Sequence, residues 1–194
     1  MLMVQQAFFD GLTLLWLAWG VYWIASVIYE RATERTKETK KRVPSTGFVF
    51  FFLLFFMLTP IGFAGPLGSL YLPSSNVLKA SGLLVTAGGV VLAIWARRHL
   101  GSNWSGVPSL KVGHTLVSDG PYSMVRYPIY TRILFGMVGS TLVLGTYGSL
   151  LVLVLSTAIV GVRIRQEEGL MEDEFGEAYR DYRRRTKTII PWVL

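Results

Sequence analysis

The chain has 194 residues, of which 52% are hydrophobic and only 16% charged, and its mean hydropathy is +0.45. A soluble domain has about a quarter of its residues charged, so this composition predicts a polytopic membrane protein. Because the chain contains no cysteine, disulfides, thiolate metal sites and a cysteine nucleophile are excluded. The length suits one all-α membrane domain covering residues 1–194, with no separate soluble domain.

Five apolar runs follow in chain order: Gly11 to Tyr29, Gly47 to Gly65, Val77 to Ala96, Ile129 to Leu144 and Tyr147 to Ile164. The first three approach the roughly 20 residues that cross a hydrocarbon core of about 30 Å. The last two are shorter and are separated by Gly-Thr-Tyr-Gly, which predicts a tight turn between antiparallel helices. Either both cross completely, or they form a hairpin that dips in and returns. We expect five transmembrane helices, three of them within residues 1–96 and two in a catalytic module at 97–194.

Two further patterns refine this expectation. Small residues three or four apart in the third and fourth runs predict close helix packing. Glutamates alternate with basic residues at helical spacing from Glu30 to Arg42, which predicts a solvated helical extension of the first span.

Basic residues distinguish the two sides of the expected bundle. Lys and Arg collect in residues 31–42, 97–126 and 163–187, whereas residues 1–10, 64–76 and 145–148 contain none. Because such residues are retained on the cytoplasmic side, we expect the N-terminus outside and the C-terminus in the cytoplasm. Anionic lipid headgroups then account for the net charge of +7, and no nucleic-acid partner is expected.

A polar segment at 101–130, which contains four glycines, three prolines and three tyrosines, lies between two of the apolar runs. Such a segment beside membrane spans favours an integral-membrane enzyme; the alternative is a packing loop in a non-catalytic subunit or transporter component. In the tail, apolar and aromatic side chains recur at helical spacing from Met171 to Tyr182 and predict an amphipathic helix. On the expected topology the segment and the tail face the same compartment and can form one site.

Short motifs occur in a specific order: GSNWS, HTLVSDGPY, VRYPIY, a helical hairpin, Arg163 followed by Glu167 and Glu168, and EFGEAYRDY. In that order and spacing, residues 100–191 resemble the isoprenylcysteine carboxyl methyltransferase family of membrane enzymes. The resemblance implies S-adenosylmethionine as cofactor, a cytoplasmic cofactor pocket and a lipophilic substrate that enters from the bilayer. It implies methylation of a carboxylate of the isoprenylcysteine type. Related membrane enzymes methylate lipid amines or small thiols, and the residues leave that choice open.

The resemblance also assigns roles to individual residues. Arg163 falls on the substrate side, and Arg163, Glu167 and Glu168 are the candidate catalytic residues. Tyr127 stands where the family usually has histidine; tyrosine could stack or donate a hydrogen bond, but a role requiring an imidazole proton would be lost. The cofactor contacts fall on His114, Thr115, Leu116, Val117, Tyr122, Tyr127, Pro128, Ile129, Tyr130 and Glu167.

These residue types suit the expected cofactor independently of the resemblance. Aromatic rings attract a sulfonium cation by about 0.5 to 2 kcal/mol. A carboxylate such as Glu167 accepts hydrogen bonds from ribose hydroxyls or an ammonium. Arg126 or Arg163 can bind a ligand carboxylate through two hydrogen bonds. Arg126 is therefore added to the candidate cofactor residues. If the acceptor is a carboxylate, no general base is required.

His99 lies in no motif and is expected to be structural, and no metal site is predicted.

Overall fold

The computed structural model describes residues 2–33, 39–42, 65–104, 109–111, 113 and 115–189. This part contains five α-helices: α1 Leu2–Thr33, α2 Asn76–Leu100, α3 Pro128–Leu144, α4 Tyr147–Phe175 and α5 Glu177–Arg185. Two short strands, β1 Thr39–Arg42 and β2 Ser109–Lys111, pair antiparallel. Single turns of 3₁₀-helix cover Gly65–Gly68, Gly101–Asn103 and Gly120–Ser123.

Three of the described helices are long and apolar enough to cross a membrane: Met3–Tyr29, Asn76–Asn103 and Tyr147–Phe175. The helix Pro128–Leu144 is apolar but shorter. These helices match the first, third, fifth and fourth predicted spans, and the chain is a helical integral membrane protein. The second predicted span, Gly47 to Gly65, lies outside the described residues except for Gly65. Five crossings and their orientation stay predictions.

The turn expected between the fourth and fifth runs is confirmed. α3 ends at Leu144 and α4 begins at Tyr147, with Gly145 at a φ of +65° that favours glycine. The carbonyl of Gly145 accepts a hydrogen bond from the backbone N–H of Tyr71 at 2.9 Å. α3 itself begins at Pro128, where a missing N–H costs nothing because the first turn of a helix has no acceptor for it.

The tail differs from the expectation. α4 does not end near Ile164 but continues unbroken to Phe175, so Arg163 and Glu167 lie on the same helix as the fifth span. The chain turns at Gly176, which has a φ of +50°. The amphipathic pattern is carried by the short helix α5, which buries Tyr179 and Tyr182.

The expected helical extension to Arg42 is wrong for residues 39–42, and residues 34–38 lie outside the described part of the chain. α1 ends at Thr33, and residues 39–42 form a strand in which Arg42 lies opposite Ser109. The physical reason is the pairing itself, because residues 39–42 form their backbone ladder with β2 instead of hydrogen bonds within a helix.

The chain divides into two compact units. The first comprises Met1–Gly20, Thr46–Val91 and Arg132–Ile159, and the second comprises Val21–Ser45, Leu92–Thr131 and Val160–Leu194.

Close helix packing, as expected from the small residues, holds the first unit together. A Cβ on Gly82 of α2 would lie only 2.5 Å from the carbonyl oxygen of Gly139 in α3. Between these backbones the hydroxyl of Thr86 donates to the carbonyl of Gly136 at 3.0 Å. The indole of Trp16 in α1 donates to Ser140 Oγ at 3.0 Å. Small residues therefore bring the backbones together, and interhelical hydrogen bonds satisfy the polar groups between them.

Candidate active site

A buried cluster of three side chains joins α3 and α4 within the second unit. The hydroxyl of Tyr130 donates to Glu167 Oε1 at 2.5 Å, and Arg163 Nε lies 2.5 Å from the Tyr130 hydroxyl and 3.1 Å from Glu167 Oε1. Tyr130 and Arg163 are both 8% exposed. Because Arg163 and Glu167 are four residues apart on one helix, their side chains share a face, and Tyr130 meets them from α3.

The two oxygens of the Glu167 carboxylate differ in their hydrogen bonds. Among the residues that the structure describes, Glu167 makes its hydrogen bonds through Oε1. An ionised carboxylate has about four acceptor positions, so Oε2 can accept from a ligand while Oε1 keeps its two partners.

Arg126 forms a second ionic contact, directed at the tail. Its guanidinium donates to Glu168 Oε1 through Nε at 3.2 Å and through Nη2 at 3.0 Å. The same side chain donates to the carbonyl of Thr186 at 2.5 Å and to Thr188 Oγ1 at 2.7 Å. The backbone N–H of Arg126 donates to the carbonyl of Lys187 at 2.8 Å. In this structure Arg126 and Glu168 therefore hold the chain that follows α5, a role that the sequence did not indicate for either residue.

Four tyrosines bind α5 to the segment before α3. The Tyr182 hydroxyl donates to the carbonyl of Tyr122 at 2.6 Å, and the hydroxyls of Tyr127 and Tyr179 lie 3.4 Å apart. The ring of Tyr127 stacks on that of Tyr130, with 5.9 Å between the ring centroids and 19° between the planes. Burial raises the pKa of the Tyr122, Tyr127 and Tyr182 hydroxyls, so they stay protonated in the folded chain.

The segment at 115–117 is more accessible than this cluster. Thr115 is exposed, and Leu116 and Val117 are half-buried. Asn103 fixes the start of the segment, because its side-chain oxygen accepts from the Thr115 N–H at 2.9 Å and its NH₂ donates to Thr115 Oγ1 at 2.9 Å. The predicted cofactor residue His114 lies outside the described residues.

His99 has a structural contact, as expected from its position outside the motifs. Its Nε2 lies 3.1 Å from Asp119 Oδ1, and this hydrogen bond is the main cause of the lowered pKa of the Asp119 carboxyl. A Cβ on Gly120 would lie 2.5 Å from the His99 ring. Because glycine has no Cβ, this turn can pack against the imidazole.

The candidate residues thus fall into distinct groups. Tyr127, Tyr130, Arg163 and Glu167 lie together, with Pro128 and Ile129 buried at the start of α3. Arg126 and Glu168 form a neighbouring pair directed at the tail, and residues 115–117 belong to an accessible segment.

Sequence reasoning missed the tail residues that complete this region: Tyr179, Tyr182, Thr186 and Thr188. Helical spacing indicated that Tyr179 and Tyr182 share one face, but not which groups they would contact. Thr186 and Thr188 carried no signal, because their contacts to Arg126 span 60 and 62 residues.

Comparison with known proteins identifies the class. Residues 77–178 match the phospholipid methyltransferase family, which is more than half of the chain. The chain therefore belongs to this family of membrane methyltransferases.

Individual relatives differ in their named activities. The chain is 33% identical over 81 residues to protein-S-isoprenylcysteine O-methyltransferase of Schizosaccharomyces pombe, covering 41% of this chain and 34% of that protein. It is 35% identical over 71 residues to methanethiol S-methyltransferase 1 of Bradyrhizobium diazoefficiens, covering 37% and 24%. It is also 34% identical over 114 residues to a cobalt-zinc-cadmium resistance protein of Cupriavidus metallidurans, covering 57% and 50%. The chain thus spans half or less of the length of these relatives.

The structure is similar to that of a eukaryotic intramembrane Ras methyltransferase, isoprenylcysteine carboxyl methyltransferase. The TM-score is 0.56 and the sequence identity 26%, and the match covers 75% of this chain and 50% of the other. This likeness agrees with the family that the motifs from GSNWS to EFGEAYRDY resemble.

Proposed function

We propose that the protein transfers a methyl group from S-adenosylmethionine to a lipophilic acceptor, a carboxylate of the isoprenylcysteine type. The observation that carries the proposal is the buried cluster of Tyr130, Arg163 and Glu167, formed by residues that the family resemblance assigns to the cofactor and the substrate. The resistance protein among the relatives makes a non-catalytic role the competing hypothesis.

The residues present suit the cofactor. The free acceptor capacity of Glu167 Oε2 fits ribose hydroxyls or an ammonium group, and the stacked rings of Tyr127 and Tyr130 offer aromatic surface for adenine or for a sulfonium cation. The family resemblance assigns the accessible segment at 115–117 to the cofactor as well. When bound, S-adenosylmethionine supplies an electrophilic methyl group on a positively charged sulfur.

Charge balance favours a carboxylate acceptor. An isolated Arg163 would attract the acceptor carboxylate but repel a cationic cofactor. Because Glu167 lies 3.1 Å from Arg163 Nε, the pair is neutral overall, and the repulsion of a cationic cofactor is offset. A carboxylate oxygen that attacks the methyl carbon displaces the sulfur as a neutral thioether, so no proton has to be removed.

Positioning is then the main contribution of the protein. In-line displacement requires the acceptor oxygen, the methyl carbon and the sulfur to be collinear, and such orientation is worth roughly 7 to 11 kcal/mol. Arg163 and Tyr130 are buried, which keeps water from competing for their hydrogen bonds. We further propose that this region faces the cytoplasm, as the distribution of Lys and Arg predicts.

Purified protein incubated with methyl-labelled S-adenosylmethionine tests the proposal. Three acceptors are supplied separately: a farnesylated cysteine with a free carboxylate, phosphatidylethanolamine and a small thiol. A carboxyl methyl ester releases labelled methanol in alkali, whereas methylated amines and thioethers do not. Label in the alkali-sensitive product supports the carboxylate proposal, and label in either of the others reassigns the acceptor. Failure to bind the cofactor at all would favour the non-catalytic hypothesis.

A further inference from the structure

An open apolar groove runs between α1 and α2 in the first unit. It is lined by nine residues from two stretches, 8–18 of α1 and 80–87 of α2, and has a volume of about 580 Å³. Volumes of about 300 to 1,000 Å³ are usual for sites that bind small molecules. All nine lining side chains are apolar or glycine, so the groove suits a hydrocarbon chain.

The two helices run in the same direction along the groove. Gln5 Nε2 donates to Ser74 Oγ at 3.3 Å, the Phe9 ring lies near Lys79, and Gly11 faces Leu83. The lining therefore begins close to the first residues of both spans. Ten helical steps from residue 8 to residue 18 rise about 15 Å, which is half of a hydrocarbon core of about 30 Å. The groove matches the depth of a single leaflet.

Lys79 lies at the end of the groove nearest the start of both spans. It is one helical turn before the lining residue Leu83, on the same face of α2, and it is only 8% exposed. Its ammonium lies 5.6 Å from the centroid of the Phe9 ring, and Phe9 is next to the lining residue Phe8. Among the described residues no carboxylate forms a salt bridge with Lys79. A buried ammonium without a counter-charge is costly, so an anion at this position would be stabilised.

We propose that this groove binds an acyl chain of an anionic phospholipid, with the lipid phosphate paired to the Lys79 ammonium. The groove supplies the apolar surface for the acyl chain, and Lys79 supplies charge complementarity at the depth where a headgroup would lie. The site belongs to the first unit and does not depend on the proposed methyl transfer.

Competition between phosphatidylglycerol and phosphatidylcholine of identical acyl chains, measured by native mass spectrometry of the detergent-purified protein, tests this site. We expect Lys79→Gln to weaken phosphatidylglycerol binding about fivefold, since a basic residue near anionic headgroups gains roughly 1 kcal/mol. Phosphatidylcholine binding should not change, and Lys79→Arg should keep the preference. Unchanged phosphatidylglycerol binding in folded Lys79→Gln protein would overturn the proposal.

A second experiment tests the groove by placing a large side chain in it. Ala80→Phe should weaken binding of both lipids, whereas Val91→Phe, at an exposed position of α2 outside the groove, should not. Equal lipid binding by these two variants would place the lipid elsewhere.

The competing occupant is the chain's own segment at 47–64. Since the protein has no cysteine, Leu84→Cys combined with Leu54→Cys gives a disulfide test with no background thiols. Negligible cross-linking in lipid-free protein is expected, and rapid quantitative cross-linking would overturn the lipid assignment.

Discussion

The hydroxyl of Tyr130 and the carboxylate of Glu167 meet at 2.5 Å although 37 residues separate them in the sequence. Arg163 Nε contacts both groups, so one hydroxyl, one cation and one anion form a cluster without net charge. Because the cluster has no net charge, it exerts little long-range repulsion on a cationic ligand. The hydrogen bonds within the cluster fix the orientation of its three side chains.

Removing the Glu167 charge should weaken cofactor binding. Glu167→Gln loses an ionised acceptor, and hydrogen bonds to charged groups are worth about 1.5 to 3 kcal/mol, so we expect affinity for S-adenosylmethionine to fall at least about tenfold. Isothermal titration calorimetry of the purified protein measures this. Glu172→Gln, five residues further along α4 and partly exposed, is the matched control and should bind normally. Equal affinities in the two variants would remove Glu167 from the cofactor site.

Arg126 should matter for the stability of the tail. Lysine keeps the charge but cannot donate to Glu168, Thr186 and Thr188 together, and a buried acceptor left without its donor costs roughly 1 to 3 kcal/mol. We expect Arg126→Lys to lower the melting temperature and to expose the arginines of α5 to trypsin. Arg180→Lys, whose side chain is 48% exposed, serves as control and should melt like the parent protein. A tail equally resistant to trypsin in both variants would show that Arg126 does not hold it.

Alkaline pH should unfold the protein through its buried tyrosines. The pKa values of Tyr122, Tyr127 and Tyr182 are raised above the ordinary value of 10.0 because burial disfavours the phenolate. Above pH 10 the unfolded chain loses protons that the folded chain retains, so stability is complete below that pH and falls as the pH rises.

Each such tyrosine adds about 1.4 kcal/mol per pH unit to this loss. Stopped-flow tyrosinate absorbance after a jump in pH should therefore show a slow phase that coincides with unfolding. Tyr182→Phe should reduce the amplitude of that phase, and a single fast phase in the parent protein would contradict the prediction.

Two glycines of α2 should respond oppositely to alanine. At Gly82 a Cβ would meet the Gly139 carbonyl at 2.5 Å, so Gly82→Ala should destabilise the first unit by about 1 to 3 kcal/mol. At Gly88 no atom of the described residues lies within 4 Å of the added Cβ, apart from the chain neighbours and the nearby backbone of α2 itself, so Gly88→Ala should be neutral or stabilising by up to about 1 kcal/mol. Melting temperatures of the two variants make the comparison, and a smaller loss at Gly82 than at Gly88 would refute the backbone contact.

Local signals in the sequence were sufficient for most of the helices. Apolar runs placed α1, α2, α3 and α4, and the Gly-Thr-Tyr-Gly segment marked the turn before α4. These features act over a few residues through hydropathy and backbone sterics, which sequence alone records.

Contacts between distant segments were not predictable. Helical spacing places Arg163 and Glu167 on one face, but it does not indicate that Tyr130 of α3 lies beside them. Likewise, the charge of Arg126 suited a ligand carboxylate, but the structure pairs it with Glu168 and the two threonines of the tail. Such pairings are decided by how the segments pack rather than by local pattern.

The hydrogen bond from Tyr182 to the Tyr122 carbonyl bears on biogenesis. The two residues lie on either side of α3 and α4 and are 60 positions apart, so they cannot meet until both intervening helices have been synthesised. If the translocation machinery releases helices into the lipid one by one, it would therefore release α4 before the hydrogen bond between Tyr182 and Tyr122 forms. A chain that ended before Tyr182 would contain α3 and α4 but would lack this hydrogen bond.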